Sequence, residues 1–259
     1  MLAAAAFSAH ADAPVDLAGF PGLGDQAVDS CRRQIAASGP AARLACNAAS
    51  ADHWLCPAGI AVRLAALDEC DAMSRGAHDQ AAMLYLMGLG FVDVPYLADS
   101  HRDCQRFYRF QEGSNVCVYE NAHFDRVMAR HPNSPWADMA AYRVAETGYR
   151  YYECEGSVTC AAENAIAGFI DFLDQRPRSR YASLATDRVV AGLGVLRDPV
   201  YANGRSDNEA GRLPEDLRRL ASIARKLSAA NRTKLSASVA QAQKAVDVIE
   251  RDRHTRLTK

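Results

Sequence analysis

No apolar run in these 259 residues approaches the roughly 18 residues of a membrane-crossing helix, so nothing reads as a span. Neither sign of charge dominates: the formal net charge is −1, which gives no global attraction to nucleic acid. Gly (16) and Pro (10) are too few for collagen or a low-complexity polymer. Strand signals are scarce, confined to 92–97, which Pro95 interrupts, and 115–119. Catalytic signatures are missing as well. There is no H-E-x-x-H, no P-loop and no G-x-S-x-G, and Gly88-Leu-Gly90 and Gly192-Leu-Gly194 lack the strand–turn–helix setting of a dinucleotide site. What remains is a chain that is 49% apolar and 24% charged. That composition excludes bulk disorder, and the length suits one large core or two smaller ones.

Two features speak for an oxidising compartment. Residues 1–13 read MLAAAAFSAHADA, an apolar stretch followed by a small-x-small Ala11-Asp12-Ala13 pattern and then Pro14. This reads as the remnant of a secretory signal whose start was placed too late, since no Lys or Arg precedes Arg32. An Ala-rich disordered start is the alternative. Independently, the eight cysteines form no C-x-x-C pair, which suits structural disulfides better than zinc or redox chemistry.

Spacing predicts the pairing. Cys154 and Cys160 flank a short polar loop with a turn-forming Gly, and Cys104 and Cys117 bracket a second turn. Residues 58–73 read as one helix, which would hold Cys56 and Cys70 about 21 Å apart, far beyond disulfide reach. Nested pairing, Cys46 with Cys56 and Cys31 with Cys70, suits three short antiparallel helices better. Those helices are expected over 25–37, 41–51 and 58–73, with Ser38-Gly39-Pro40 breaking the first from the second. Residues 79–89 can form a further helix, after which Gly88, Gly90 and Pro95 loosen the chain.

From Tyr119 the chain is more regular. Shifting by 45 residues lays His131-Pro-Asn-Ser-Pro-Trp-Ala-Asp-Met-Ala140 on Arg176-Pro-Arg-Ser-Arg-Tyr-Ala-Ser-Leu-Ala185. Phe124 falls on Phe169 and Trp136 on Tyr181, aromatic positions that fill the gap between paired helices. The Ala positions let helix backbones approach, and Pro and Ser set the turn. These residues resemble the tetratricopeptide-like repeats of bacterial envelope proteins, including the lipoprotein of the outer-membrane β-barrel assembly machinery and the Tol–Pal-associated division coordinator. The resemblance covers roughly 119–193. The usual period is about 34 residues, and the Cys154–Cys160 loop takes up the excess. The resemblance implies an all-α solenoid of helical hairpins and a surface for envelope proteins or peptides.

The remainder of the chain is read as a helical hairpin. Pro214-Glu215-Asp216 marks a helix start, and Asn231 can cap a second helix. In that second helix Leu235, Val239, Ala242, Val246 and Ile249 form a seam for another helix. Residues 214–259 hold 11 Lys/Arg against five Asp/Glu, a net +6, and residues 14–213 carry about −6. The expected organisation is therefore a signal remnant at 1–13, a cysteine-rich helical region at 14–118, repeats at 119–205 and a helical hairpin at 206–259.

Candidate site residues are few. His101, Cys104, Cys117 and His123 are zinc-type donors, but in an oxidising compartment the two thiols read better as a disulfide, so no metal and no cofactor is expected. Tyr149, Arg150, Tyr151 and Tyr152 either line a recognition surface or pack against the next repeat. The leading reading is a non-enzymatic periplasmic or secreted adaptor that binds partner proteins in envelope assembly or maintenance, without nucleic acid. The rival is an enzyme whose site is assembled from scattered residues of the N-terminal half. Non-reducing peptide mapping of the protein purified from the periplasm is expected to find at least three disulfides, Cys154–Cys160 and Cys104–Cys117 among them. Eight free thiols there would overturn both the pairing and the compartment.

Overall fold

The computed structural model describes residues 23–46, 56–92, 96–97, 102, 104–111, 115–147, 154, 157–197 and 211–257. The expectations made for 1–13, His101 and Tyr149–Tyr152 lie outside the described residues. The described chain is mostly helical. It forms two compact units, 1–140 and 141–259, and the division falls within a helix.

The first unit begins with α1 (Gln26–Ala45), capped by the Asp25 carboxylate, which accepts from the Ala27 and Val28 N–H groups. The break expected at Ser38-Gly39-Pro40 does not occur, and α1 runs through Pro40. A proline inside a helix removes one N–H and disfavours the helical conformation before it. Here tertiary contacts outweigh that penalty. The Ser38 hydroxyl donates to the Ile35 carbonyl, and the buried Arg63 guanidinium of α2 (Pro57–Ser74) donates to both Ile35 O and Ser38 Oγ. The same face buries Val28, Cys31, Ile35 and Ala42. Two helices therefore stand where three were expected.

All eight cysteines are paired, as Cys31–Cys70, Cys46–Cys56, Cys104–Cys117 and Cys154–Cys160, the pairs read from the spacing. The first two clamp α1 and α2 as an antiparallel hairpin. The interval between bridges is nearly the same along each helix, so both bridges close in one register.

Helix α3 (Gln80–Val92) contains no charged residue, and ten of its side chains or glycines are buried. A helix that is apolar all round has to be enclosed. Its glycines do not loosen the chain as expected; they admit neighbours. A Cβ at Gly88 would sit 2.5 Å from the Phe124 ring, and one at Gly90 2.5 Å from Leu67. Asp79 caps α3 through Ala82 N at 2.9 Å, while its other oxygen accepts from Trp136 Nε1 at 3.0 Å. Asp25 Oδ2 in turn accepts from Asp79 N at 2.9 Å, so one carboxylate chain ties the starts of α1 and α3 to Trp136.

A small antiparallel sheet follows, with β1 (Tyr96–Leu97), β2 (Tyr108–Gln111) and β3 (Val116–Tyr119) in the order β1-β3-β2. Tyr108 pairs with Tyr119 and Phe110 with Cys117. β1 and β3 fall within the two strand candidates at 92–97 and 115–119, whereas β2 was not expected, so the helical reading of 14–118 gains a three-stranded sheet. α4 (Ala122–Arg130) then packs on α3, with the Phe124 ring 5.6 Å from Tyr85. The boundary expected at 118/119 is therefore not where the compact units divide, because the core of α3 includes Phe124 of α4.

α5 (Pro135–Thr147) follows α4 through a turn at 131–134, and α6 (Val158–Gln175) and α7 (Ala182–Gly194) pack as a helical hairpin joined by a turn at 176–181. The two turns carry the same backbone bonds 45 residues apart. His131 N binds Val127 O as Arg176 N binds Phe172 O; Ser134 N binds His131 O as Ser179 N binds Arg176 O; Ala137 N binds Ser134 O as Ala182 N binds Ser179 O. Ala137, Ala140, Ala182 and Ala185 are all buried. The repeat seen in the sequence is thus matched by a repeat of turn bonding.

In the second unit α8 (Leu213–Ala224) lies on α6 and α9 (Ala229–Leu257) on α7, first helix on first and second on second. The α9 seam closes the core through Leu235, Val239, Ala242 and Val246, with Ile249 partly buried beside it. Asn231 is not a cap, because α9 begins at Ala229 and Arg232 N already binds Ser228 O. The basic hairpin meets the acidic helices: Arg219 binds Asp171 at 2.6 Å and Asp174 at 3.1 Å, Lys226 binds Asp174 at 2.7 Å, and Lys234 binds Asp187. Such exposed pairs contribute at most about 1 kcal/mol each, so apolar packing dominates.

Gly168 of α6 lies against the α5 backbone, where a Cβ would overlap the Ala145 carbonyl oxygen. Gly168→Ala is expected to destabilise by about 1–3 kcal/mol in urea titration, because backbone rather than a flexible side chain must yield. Gly194→Ala meets nothing within 4 Å and should leave stability unchanged or slightly raised.

Candidate functional site

The densest grouping of polar and aromatic chemistry in the first unit surrounds His123. Phe91 at the end of α3, Tyr119 at the end of β3 and His123 in the first turn of α4 converge because β3 runs directly into α4 through Asn121, which has φ of +63°. His123 faces inward and is fully buried. Its ring stacks on Phe91 at 4.9 Å and 12°, and meets Phe107 edge-on at 4.8 Å.

The Tyr119 hydroxyl oxygen accepts from His123 N at 2.7 Å and lies 2.8 Å from His123 Nδ1. Because that oxygen already accepts the backbone N–H, its own proton is directed to Nδ1. The imidazole proton then belongs on Nε2, an assignment made from the network. Nε2 is buried and has no hydrogen-bond partner among the described residues. Burial, then the positive charges of Arg126 and Arg106, push His123 down to about 3. Burial likewise pushes the Tyr119 hydroxyl up. A general base works best with a pKa near the operating pH, so His123 is not poised as one at neutral pH.

Phe107 has φ of +74°, a conformation that costs a bulky residue about 1–3 kcal/mol. It is held by its surroundings. Tyr108 N donates to Gln105 O at 3.1 Å, Glu120 N donates to Phe107 O at 3.0 Å, and the ring packs edge-on against Phe91. The Cys104–Cys117 bridge ties the loop to β3. Over the Phe107 ring sit two guanidiniums, Arg106 at 4.4 Å and Arg126 at 5.3 Å from its centroid.

The residues singled out in the sequence fall elsewhere or take structural roles. Cys104 and Cys117 are joined in a disulfide, so neither thiol is available to zinc. Among the described residues no group of three His, Cys, Asp or Glu is placed to hold a metal ion. Phe124, Trp136 and Phe169 are buried, while Tyr181 is half-buried and stacks on Tyr142 at 5.3 Å with Arg180 over its ring. Arg106, Phe107, Tyr119 and Arg126 were not singled out. The Arg-Phe-Tyr-Arg-Phe run at 106–110 was the available signal, but nothing in it announces a positive φ or a partner 19 residues away.

Comparison with family models, characterised proteins and solved structures finds no match to this chain.

The His123 shift has a pH consequence. A histidine depressed in the folded state favours folding fully above its unfolded value of about 6.5, and that contribution is lost as pH falls toward about 3. Stability should fall by up to about 1.4 kcal/mol per pH unit across that window from this group alone. In His123→Phe that component of the slope should vanish, as read by urea unfolding at successive pH values.

Proposed function

We propose that this protein is a non-enzymatic adaptor or scaffold of the bacterial envelope, exported to the periplasm or secreted, which binds partner proteins or peptides on tetratricopeptide-like hairpins. The observation that carries the reading is the identical turn bonding 45 residues apart, after α4 and after α6, together with the α8–α9 hairpin packed helix on helix against α6 and α7. Stacked hairpins build extended surfaces that recognise partners without chemistry. Four disulfides support an oxidising compartment, and no described helix is long and apolar enough to cross a membrane.

The partner-binding candidates Tyr149, Arg150, Tyr151 and Tyr152 follow α5 and precede the loop closed by Cys154–Cys160. Tyrosine offers large contact area at low entropic cost, and Arg150 adds a planar charged group. A photo-crosslinking residue placed at Tyr149, Tyr151 or Tyr152 should join the protein to a discrete envelope protein in cells. The same residue at the exposed Thr255 should not. Identical crosslinking patterns at all four positions would overturn the assignment of this segment as the binding surface.

A further inference from the structure

In the second unit Arg143 and Arg188 bind Glu146, Arg219 binds Asp171 and Asp174, and Arg180 lies over the ring of Tyr181. Arg106 and Arg126 in the first unit share a single ring. Among the described residues neither makes an ion pair or hydrogen bond, and both guanidiniums lie over Phe107, 4.4 Å and 5.3 Å from its centroid. Two like charges near one ring repel each other, weakly where solvent screens them, and an anion between them turns that repulsion into attraction. A guanidinium without a carboxylate partner keeps N–H donors for an oxyanion, which it takes in bidentate fashion. Arg106 is exposed and Arg126 half-buried, so an anion reaches both from solvent.

The platform itself is constrained. Phe107 is held at φ of +74°, and such strain persists where the surroundings over-determine it. Beside the ring lies His123, buried, with Nε2 unpartnered. Buried polar atoms without partners are rare enough to call for an explanation. Ordinary core packing would be served by an apolar residue at 123 and by glycine at 107.

We propose that Arg106 and Arg126, seated on Phe107, form a binding site for a phosphate-type oxyanion. Two forks and two positive charges match a tetrahedral dianion, which offers oxygens to both, whereas a single carboxylate engages one fork. The inference is independent of the adaptor reading. The phosphate group has two possible sources, a soluble phosphate and a phospholipid headgroup.

The test uses the full chain. Inorganic phosphate is titrated in while the Arg Nε–H and His123 ring resonances are followed by NMR. Saturable shifts are expected at Arg106, Arg126 and His123, with sulfate competing and acetate not. Arg106→Gln/Arg126→Gln should weaken binding at least about tenfold through loss of two charge-assisted pairs. Arg109→Gln removes an exposed charge three residues away and should stay within about twofold of wild type. If the double variant does not fold, the single variants Arg106→Lys and Arg126→Lys, which keep the charge but lose the fork, should each weaken binding. A second arm measures co-sedimentation with phosphatidylcholine vesicles with and without phosphatidic acid. Arginine-dependent binding of inorganic phosphate assigns a soluble source, and arginine-dependent binding to phosphatidic acid vesicles alone assigns a headgroup. No arginine-dependent binding in either arm, or acetate binding as tightly as phosphate, overturns the proposal.

Discussion

The enclosure of α3 is the constraint on which the first unit depends. Thirteen residues without a charge offer water no ionic face, and ten of them are buried, so neighbours have to be supplied on most sides. The α1–α2 hairpin covers one flank, and α4 with Phe124 covers another. The glycines at 88 and 90 let those neighbours come close. The Asp25–Asp79–Trp136 chain fixes where the enclosing helices begin, because each carboxylate oxygen is used by a specific N–H. The hydrogen bond from Asp79 N holds Asp25 below the usual carboxylate range, which keeps it ionised and the cap in place.

In the second unit the α6–α7 hairpin has an apolar side, and the α8–α9 hairpin covers it. α8 and α9 do this with Leu217, Leu220, Leu235 and Val246 inside and cations outside. Glu163 joins the two hairpins, its carboxylate accepting from Leu213 N at 2.7 Å at the start of α8. Burial pushes Glu163 above the usual carboxylate range, outweighing the bond from Leu213 N that pulls it down.

The His123 cluster draws its character from the same packing. The side chains that bury the imidazole leave one nitrogen unpartnered, and the two guanidiniums on Phe107 add positive charge nearby. A disulfide, a short sheet and an aromatic stack together hold Phe107 where an isolated chain would not go. Structural elements that individually only stabilise thereby concentrate charge at one place.

Much of the architecture was legible in the residues alone. Cysteine spacing pointed to the two local pairs, Cys154–Cys160 and Cys104–Cys117, and helix rise argued against Cys56–Cys70, but the connectivity of Cys31, Cys46, Cys56 and Cys70 was decided by how α1 and α2 pack. The 45-residue repeat and the α9 seam were legible because hydrophobic periodicity and turn residues are local signals. Other features depended on contacts between distant residues. Pro40 reads as a break, yet α1 continues because Arg63 and Ser38 supply donors around Ile35 O. Gly88 and Gly90 read as loosening, yet they are close-approach points for Phe124 and Leu67. β2 alternates aromatic with polar residues, but four residues beside a turn do not announce a strand until β3 pairs with them. The Arg106–Phe107–Arg126–His123 grouping was invisible for the same reason. Local propensity reports what a segment does by itself, whereas a cluster drawn from a turn, a strand end and a helix exists only once tertiary packing has brought them together.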